Sequence, residues 1–118
     1  ELLGQKLKTH NAQAWLVNTG WSGGGYGLGE RIDLPVTRQM LTAILDGKLK
    51  NTDFTPDSNF KVLIPENIPG VESNILNPRN TWKDKNAYDE RAEELINLFK
   101  KNFVKYENFG NFSKAGPD

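Results

Sequence analysis

Apolar positions along this chain follow two helical stripes and a few short continuous runs. Between residues 34 and 47, Val36, Met40, Ala43 and Ile44 fall at i, i+4, i+7 and i+8, the spacing of one helical face. Pro35 suits the first helical position, where a missing N–H costs nothing, and Gly47 suits a left-handed stop. From about 86 to 106, Tyr88, Ala92, Leu95, Ile96, Phe99 and Phe103 keep the 3.6-residue period. Asp84 is placed to cap that helix; Lys100, Lys101 and Lys105 lie at the end where cations suit its dipole. Leu3 and Leu7 lie four apart and predict a short helix over 2–10, which reads as the tail of a helix beginning upstream.

The continuous runs predict strands. Trp15, Leu16 and Val17 make 14–18 a buried-type strand, and Phe60 to Ile64 a second one ended by Pro65. Residues 31–34 alternate polar and apolar, as a short extended piece does. Residues 50–59 are loop by composition, with a short strand around 53–55. The loop punctuated by Pro65, Pro69 and Pro78 holds one helical turn over 71–75, and 108–118 is expected to be an irregular tail. The order predicts a mixed α/β fold with too few strands for a free-standing sheet. The sheet is therefore expected to be incomplete, and the chain to be a piece of a larger protein.

Size and charge narrow the function. A chain of 118 residues is one domain at most. Fifteen basic and fifteen acidic residues cancel, which argues against a broadly basic nucleic-acid surface or a polybasic membrane patch. No cysteine is present, so disulfides, cysteine zinc sites and thiol catalysis are excluded. No apolar run approaches the ~20 residues that span a bilayer, and no signal peptide is apparent.

Six of the eleven glycines fall in 20–29, and the run leads through Glu30 into Arg31. Glycine lets backbone approach a ligand closely, and arginine offers a fixed fork of donors for phosphate or carboxylate. The spacing matches neither G-x-x-x-x-G-K-[ST] nor G-x-G-x-x-G, so on composition alone a surface turn between elements is the favoured reading over a phosphate cradle. Arg31 reads either as a solvated side chain or as a nucleotide contact. Thr37 reads as a plain first-turn residue or as a hydroxyl reaching a ligand at the helix start. His10 has no metal-ligand partners in spacing and reads as a capping or surface residue. Glu90, Glu93 and Glu94 read as a solvated helix face. Trp15, Trp21 and Trp82 suit packing more than ligand stacking, and 77–82 reads as a structured loop.

Taken together, Trp15-Leu16-Val17-Asn18-Thr19-Gly20-Trp21, the glycines leading into Gly29-Glu30-Arg31-Ile32, Thr37-Arg38, the loop from Ile64-Pro65 to Pro69-Gly70-Val71, and Ile75-Leu76-Asn77-Pro78-Arg79-Asn80-Thr81-Trp82 resemble the C-terminal segment of ATP-dependent phosphoenolpyruvate carboxykinases. The likeness runs from residue 1 to Ala115-Gly116-Pro117. Glu30 departs from the lysine usual there, which leaves no cation at that position.

The resemblance implies that 1–118 is the C-terminal fragment of a mobile nucleotide-binding domain. It implies an enzyme that decarboxylates oxaloacetate and phosphorylates the enolate from ATP, giving phosphoenolpyruvate, ADP and CO2 at the entry to gluconeogenesis. The family's P-loop, substrate arginines and ligands for Mg2+ and Mn2+ have no counterpart among these motifs. By motif match, Arg31 and Ile32 would lie beside adenine and ribose, Ile32 through its backbone, and Thr37 would offer a hydroxyl near the base. No catalytic residue is implied, and the fragment alone would be inactive. A cytoplasmic location, ATP/ADP and oxaloacetate/phosphoenolpyruvate as ligands, the rest of the same polypeptide as partner, and no nucleic acid or membrane follow in the same way. The competing class is a non-enzymatic module that binds a peptide or sugar through the glycine loop and tryptophans.

Overall fold

A computed structural model describes residues 2–110 and 113–117, with Phe109 and Ser113 described by backbone only. Helix α1 (Leu2–Thr9) closes where Asn11 takes φ 47°. The Ala12 N–H then reaches the Leu7 carbonyl at 2.9 Å and the Asn11 N–H the Lys8 carbonyl at 3.4 Å, the double bond of a Schellman stop. Helix α2 (Leu34–Leu45) ends in the same way. Gly47 has φ 67°, and the Lys48 N–H bonds the Ala43 carbonyl at 2.9 Å. The helix begins one residue earlier than its proline suggests, with Pro35 second in the first turn.

Residues 14–18 are not a strand. They carry no ladder, and among the described residues the backbone of 13–17 makes no hydrogen bond. Trp15 and Val17 turn inward onto the core while Leu16 is 90% exposed. The segment thus has the two-residue side-chain alternation of extended chain but nothing beside it to pair with. The strands that do form are two separate antiparallel hairpins. In the first, β1 (Trp21–Ser22) pairs with β2 (Glu30–Arg31), with Trp21 opposite Arg31 and Ser22 opposite Glu30. In the second, β3 (Phe54–Pro56) pairs with β4 (Leu63–Pro65). The strand expected over 60–64 is shortened from its front. Asp57 Oδ1 accepts the Asn59 and Phe60 N–H groups at 2.9 and 2.7 Å, and Lys61 takes φ 57°, so 57–62 is the hairpin's turn.

The core is small. Ala43 and Met40 of α2 meet Leu49, Ile68 and Val71, with Trp15, Val17, Val36, Ile44, Phe54, Ile75 and Leu76 packed around them. Pro69-Gly70 supplies the turn between Ile68 and Val71, with Gly70 at φ 79° as a type II turn needs. Gln39 Nε2 donates to the Pro69 carbonyl at 2.9 Å and ties this turn to α2. A 3-10 turn at Ser73–Ile75 occupies the helical turn expected over 71–75.

The stretch 77–82 is helical where a loop was expected. Asn77 caps α3 (Pro78–Thr81) by accepting the Arg79 N–H at 3.1 Å, and Pro78 fills the first position. Helix α4 (Lys85–Phe103) is capped by Asp84, which accepts from Asn86 and Ala87. A 3-10 stretch continues from Val104 to Phe109. Only Ala92 and Ile96 of the α4 stripe are buried, whereas Leu95 and Phe99 are 45% and 51% exposed. The expected tail carries a 3-10 turn at Ser113–Ala115; residues 111, 112 and 118 lie outside the described residues. No helix among the described residues is long and apolar enough to cross a membrane.

The surface of the chain is 9520 Å² and its radius of gyration 16.0 Å. A compact monomer of this mass exposes about 6,500 Å², with a radius near 13.5 Å. The excess is apolar in part: Leu2, Leu3, Leu16, Leu34, Leu63 and Leu98 are all more than half exposed. The isolated 118-residue chain is therefore expected to self-associate or to bind a hydrophobic dye. Light scattering at the monomer mass with no dye binding would contradict that.

Candidate functional site

The glycine-rich loop is closed on itself rather than open as an anion cradle. Asn18 Oδ1 accepts the Gly20 N–H at 2.9 Å and Asn18 Nδ2 donates to the Trp21 carbonyl at 3.2 Å, which tightens the entry to β1. At the tip, the Leu28 and Gly29 N–H groups both donate to the Gly25 carbonyl, at 3.1 and 2.9 Å. A Cβ at Gly29 would lie 2.3 Å from the Gly24 carbonyl oxygen and 2.5 Å from that of Ser22. The two limbs touch through backbone there, so the glycines serve close approach of chain to chain. Tyr26 and Leu28 stand out at the tip, 90% and 86% exposed, with Tyr26 edge-on to Trp21 at 5.4 Å.

The three residues singled out by sequence lie where this hairpin feeds α2. Arg31 ends β2 opposite Trp21, is exposed, and makes no ion pair among the described residues. The Ile32 N–H donates to the Gly20 carbonyl at 2.9 Å. Its backbone therefore offers a ligand only the carbonyl. Thr37 is buried to 7% exposure in the first turns of α2. Its hydroxyl makes no hydrogen bond, yet no buried polar side-chain atom is orphaned among the described residues. The Thr37 oxygen thus keeps an opening to solvent.

Charge separates the possible ligand groups. Asp33 sits at the α2 N-cap without a side-chain capping bond, so its carboxylate shares the helix start with any ligand. That disfavours a phosphate there and leaves a neutral hydroxyl- or amide-rich group as the better fit. A cleft of about 740 Å³ lies elsewhere, between the second hairpin and α3–α4. Asp57, Glu66, Asp89 and Glu93 line it against the single cation Arg79, a poor setting for a polyphosphate. The Arg79 guanidinium grips Asp89 through two bonds of 2.8 Å. This contact holds the Asp89 carboxyl below its ordinary pKa and raises that of Arg79. Burial, then the charges of Asp57 and Asp89, push the Tyr88 phenol up.

The remaining candidates take structural places. His10 is exposed just past α1 and its N–H bonds the Lys6 carbonyl at 3.0 Å. Glu94 pairs with Arg91 on an exposed face. Trp15 tilts against Phe54 at 6.0 Å, and Trp82 meets Tyr88 edge-on at 5.7 Å. No group of three or more His, Asp, Glu or Cys that could hold a metal comes together among the described residues. Sequence reasoning passed over Asn18 and Lys85. Asn18 carries an Asx-turn signal two residues before a glycine, whereas Lys85 carries no signal, because its partners are backbone carbonyls.

Two substitutions separate close approach from mere flexibility. Gly29→Ala is expected to destabilise the hairpin by about 2 kcal/mol. Gly25→Ala, which meets nothing within 4 Å, should stay within about 0.5 kcal/mol. Unfolding followed by tryptophan fluorescence checks the pair, and equal effects would reject the close-approach account. The Asp89 carboxyl, depressed in the folded chain, contributes stability above its unfolded pKa of about 4 that is lost as pH falls below it. Because the pair is half exposed, the effect is small. Asp89→Asn should flatten the fall in stability as the pH drops below about 4; an unaltered acid slope would contradict this.

The family model for phosphoenolpyruvate carboxykinase matches residues 1–74, which contain both hairpins, α2, Arg31, Ile32 and Thr37. The chain is 50% identical to phosphoenolpyruvate carboxykinase (ATP) of Bacillus velezensis over 116 residues, 98% of this chain and 22% of the relative. Its identity to the protein of the same name from Christiangramia forsetii is 50% over 94% of this chain and 21% of the relative. For Caldanaerobacter subterraneus the figures are 50%, 99% and 23%. The chain spans about a fifth of the length of these curated relatives. With a family model over residues 1–74 and identity at half of all positions over nearly its whole length, the chain belongs to the phosphoenolpyruvate carboxykinase (ATP) family.

Proposed function

We propose that the chain is the adenosine-side segment, at the C-terminal end of a mobile nucleotide-binding domain, of an enzyme that converts oxaloacetate and ATP to phosphoenolpyruvate, ADP and CO2. The observation that carries this reading is the junction itself. An unpaired arginine, a backbone carbonyl and a largely buried hydroxyl without a hydrogen bond follow one another from β2 into α2, beside a closed hairpin. Arg31 stacks on or donates to the base and ribose, Ile32 accepts through its carbonyl, and Thr37 Oγ1 exchanges a hydrogen bond with the base. The Asp33 carboxylate turns the triphosphate away from the helix start.

In this role the segment performs no bond-making step. Phosphoryl transfer depends on positioning and charge neutralisation, and what these residues supply is the position of the nucleoside. Mg2+ and Mn2+ belong to the longer polypeptide in this proposal. The described residues gather no ligand set for them, and no step is routed through them. The large excess of exposed surface supports a segment that works packed against further chain. Oxaloacetate and phosphoenolpyruvate bind outside it, the location is cytoplasmic, and the fragment alone is inactive.

Arg31→Ala in the full polypeptide should weaken ATP binding about tenfold, the loss of one charge-assisted or cation–π contact, while leaving the KM for oxaloacetate unchanged. Calorimetric titration with ATP together with steady-state kinetics measures both. Unaltered ATP affinity would overturn the assignment.

A further inference from the structure

Lys85 stands at the first position of α4, where a cation opposes the helix dipole. Its ammonium has three donors, and all three are used. Nζ donates to the carbonyls of Arg79 at 2.9 Å, Asn80 at 2.8 Å and Trp82 at 2.6 Å. The first two are carbonyls that the four-residue helix α3 leaves unsatisfied at its end, and the third belongs to the extended residue that follows it. The residue is half-buried and all three bonds are charge-assisted; the one to Trp82 is partly buried and the other two are exposed. An unfavourable place on its own helix is thus occupied to pin another element.

The carbonyl inside this clamp, that of Thr81, is held from both sides and turned elsewhere. A Cβ built on Gly23 would lie 3.0 Å from the Thr81 oxygen and 3.7 Å from its carbon. Gly23 takes φ 77° and directly follows Ser22 of β1, whose partner Glu30 precedes Arg31. The base of the glycine hairpin therefore rests on a carbonyl whose position Lys85 sets.

We infer that Lys85 is a positioning residue for the glycine-rich hairpin and, through it, for Arg31. The nucleotide part of this inference rests on the reading proposed above; the clamp itself does not. Loss of the clamp frees the 80–82 backbone, removes the support under Gly23 and lets the hairpin swing away from the start of α2. A lysine required only for charge would be replaceable by any cation nearby, whereas this role requires donors converging on three carbonyls.

The test uses the full polypeptide that carries this segment, with Lys85→Met and Lys85→Arg. Chymotrypsin cuts after Tyr26 and Leu28, the exposed hairpin tip, and reports loop opening. Lys85→Met should speed those cuts about tenfold, as loss of local protection does, and weaken ATP binding several-fold with the KM for oxaloacetate unchanged. Lys85→Arg, which keeps donors, should return both readouts towards wild type. Lys85→Gln, whose shorter amide keeps donors but cannot span all three carbonyls, should shift both readouts in the same direction by less, so the inference stays testable where Lys85→Met does not fold. Wild-type cleavage rates at Tyr26 and Leu28 in Lys85→Met, or in Lys85→Gln where Lys85→Met does not fold, overturn the clamp. Faster cleavage with unchanged ATP affinity upholds the clamp and overturns the nucleotide reading instead.

Discussion

Ala43 exposes no surface at all, and the described structure is organised around that contact. A small side chain in the middle of α2 lets Leu49, Ile68 and Val71 close over the helix. A larger residue would force the turn at Pro69-Gly70 away and break the Gln39 bond to Pro69. With its middle held, α2 presents its first turn, Thr37 and the incoming Arg31 and Ile32 at one defined place. The rest of the chain is arranged as satellites of this cluster. The glycine hairpin is held by backbone bonds and by Thr81, and α4 by a thin line of Ala92 and Ile96.

That economy of core explains the character of the candidate site. A body with about half again the surface of a compact monomer cannot enclose a nucleotide from its own residues. What it can do is hold a few groups rigidly at an edge. Rigidity comes from the double use of Asn18, from the Gly29 contact and from the Lys85 clamp. Electrostatics then sorts the ligand. Arg31 attracts, Asp33 repels phosphate from the helix start, and the acidic cleft beside Arg79 and Asp89 is closed to polyanions. On the proposed reading, this arrangement takes the nucleoside end rather than the phosphate chain.

The elements that sequence reading located well are those settled within a few residues. The α2 and α4 stripes, the Asp84 cap and the Gly47 stop each depend on a side chain and its own neighbouring turn. The elements it misplaced depend on distant partners. Trp15-Leu16-Val17 has strand composition, but a strand needs a neighbour for its N–H and C=O groups, and the described residues offer none. Phe60 to Val62 became a turn because Asp57 captured two N–H groups. Helix α3 carried legible Asn77 and Pro78 signals that the density of polar residues around them obscured.

By itself the sequence determined the helices α1, α2 and α4, the Asp84 cap, the family and which residues flank the glycine run, because these rest on local geometry and on residue order. Tertiary structure alone decided what the glycines do. Spacing offered a phosphate loop or a surface turn. The approach of Gly29 to Gly24 and of Gly23 to Thr81 makes the run a closed, supported hairpin instead. Contacts of backbone with backbone leave no mark on side-chain pattern beyond the glycines themselves. For that reason neither the hairpin's closure nor the lysine that steadies it could be read before the chain was folded.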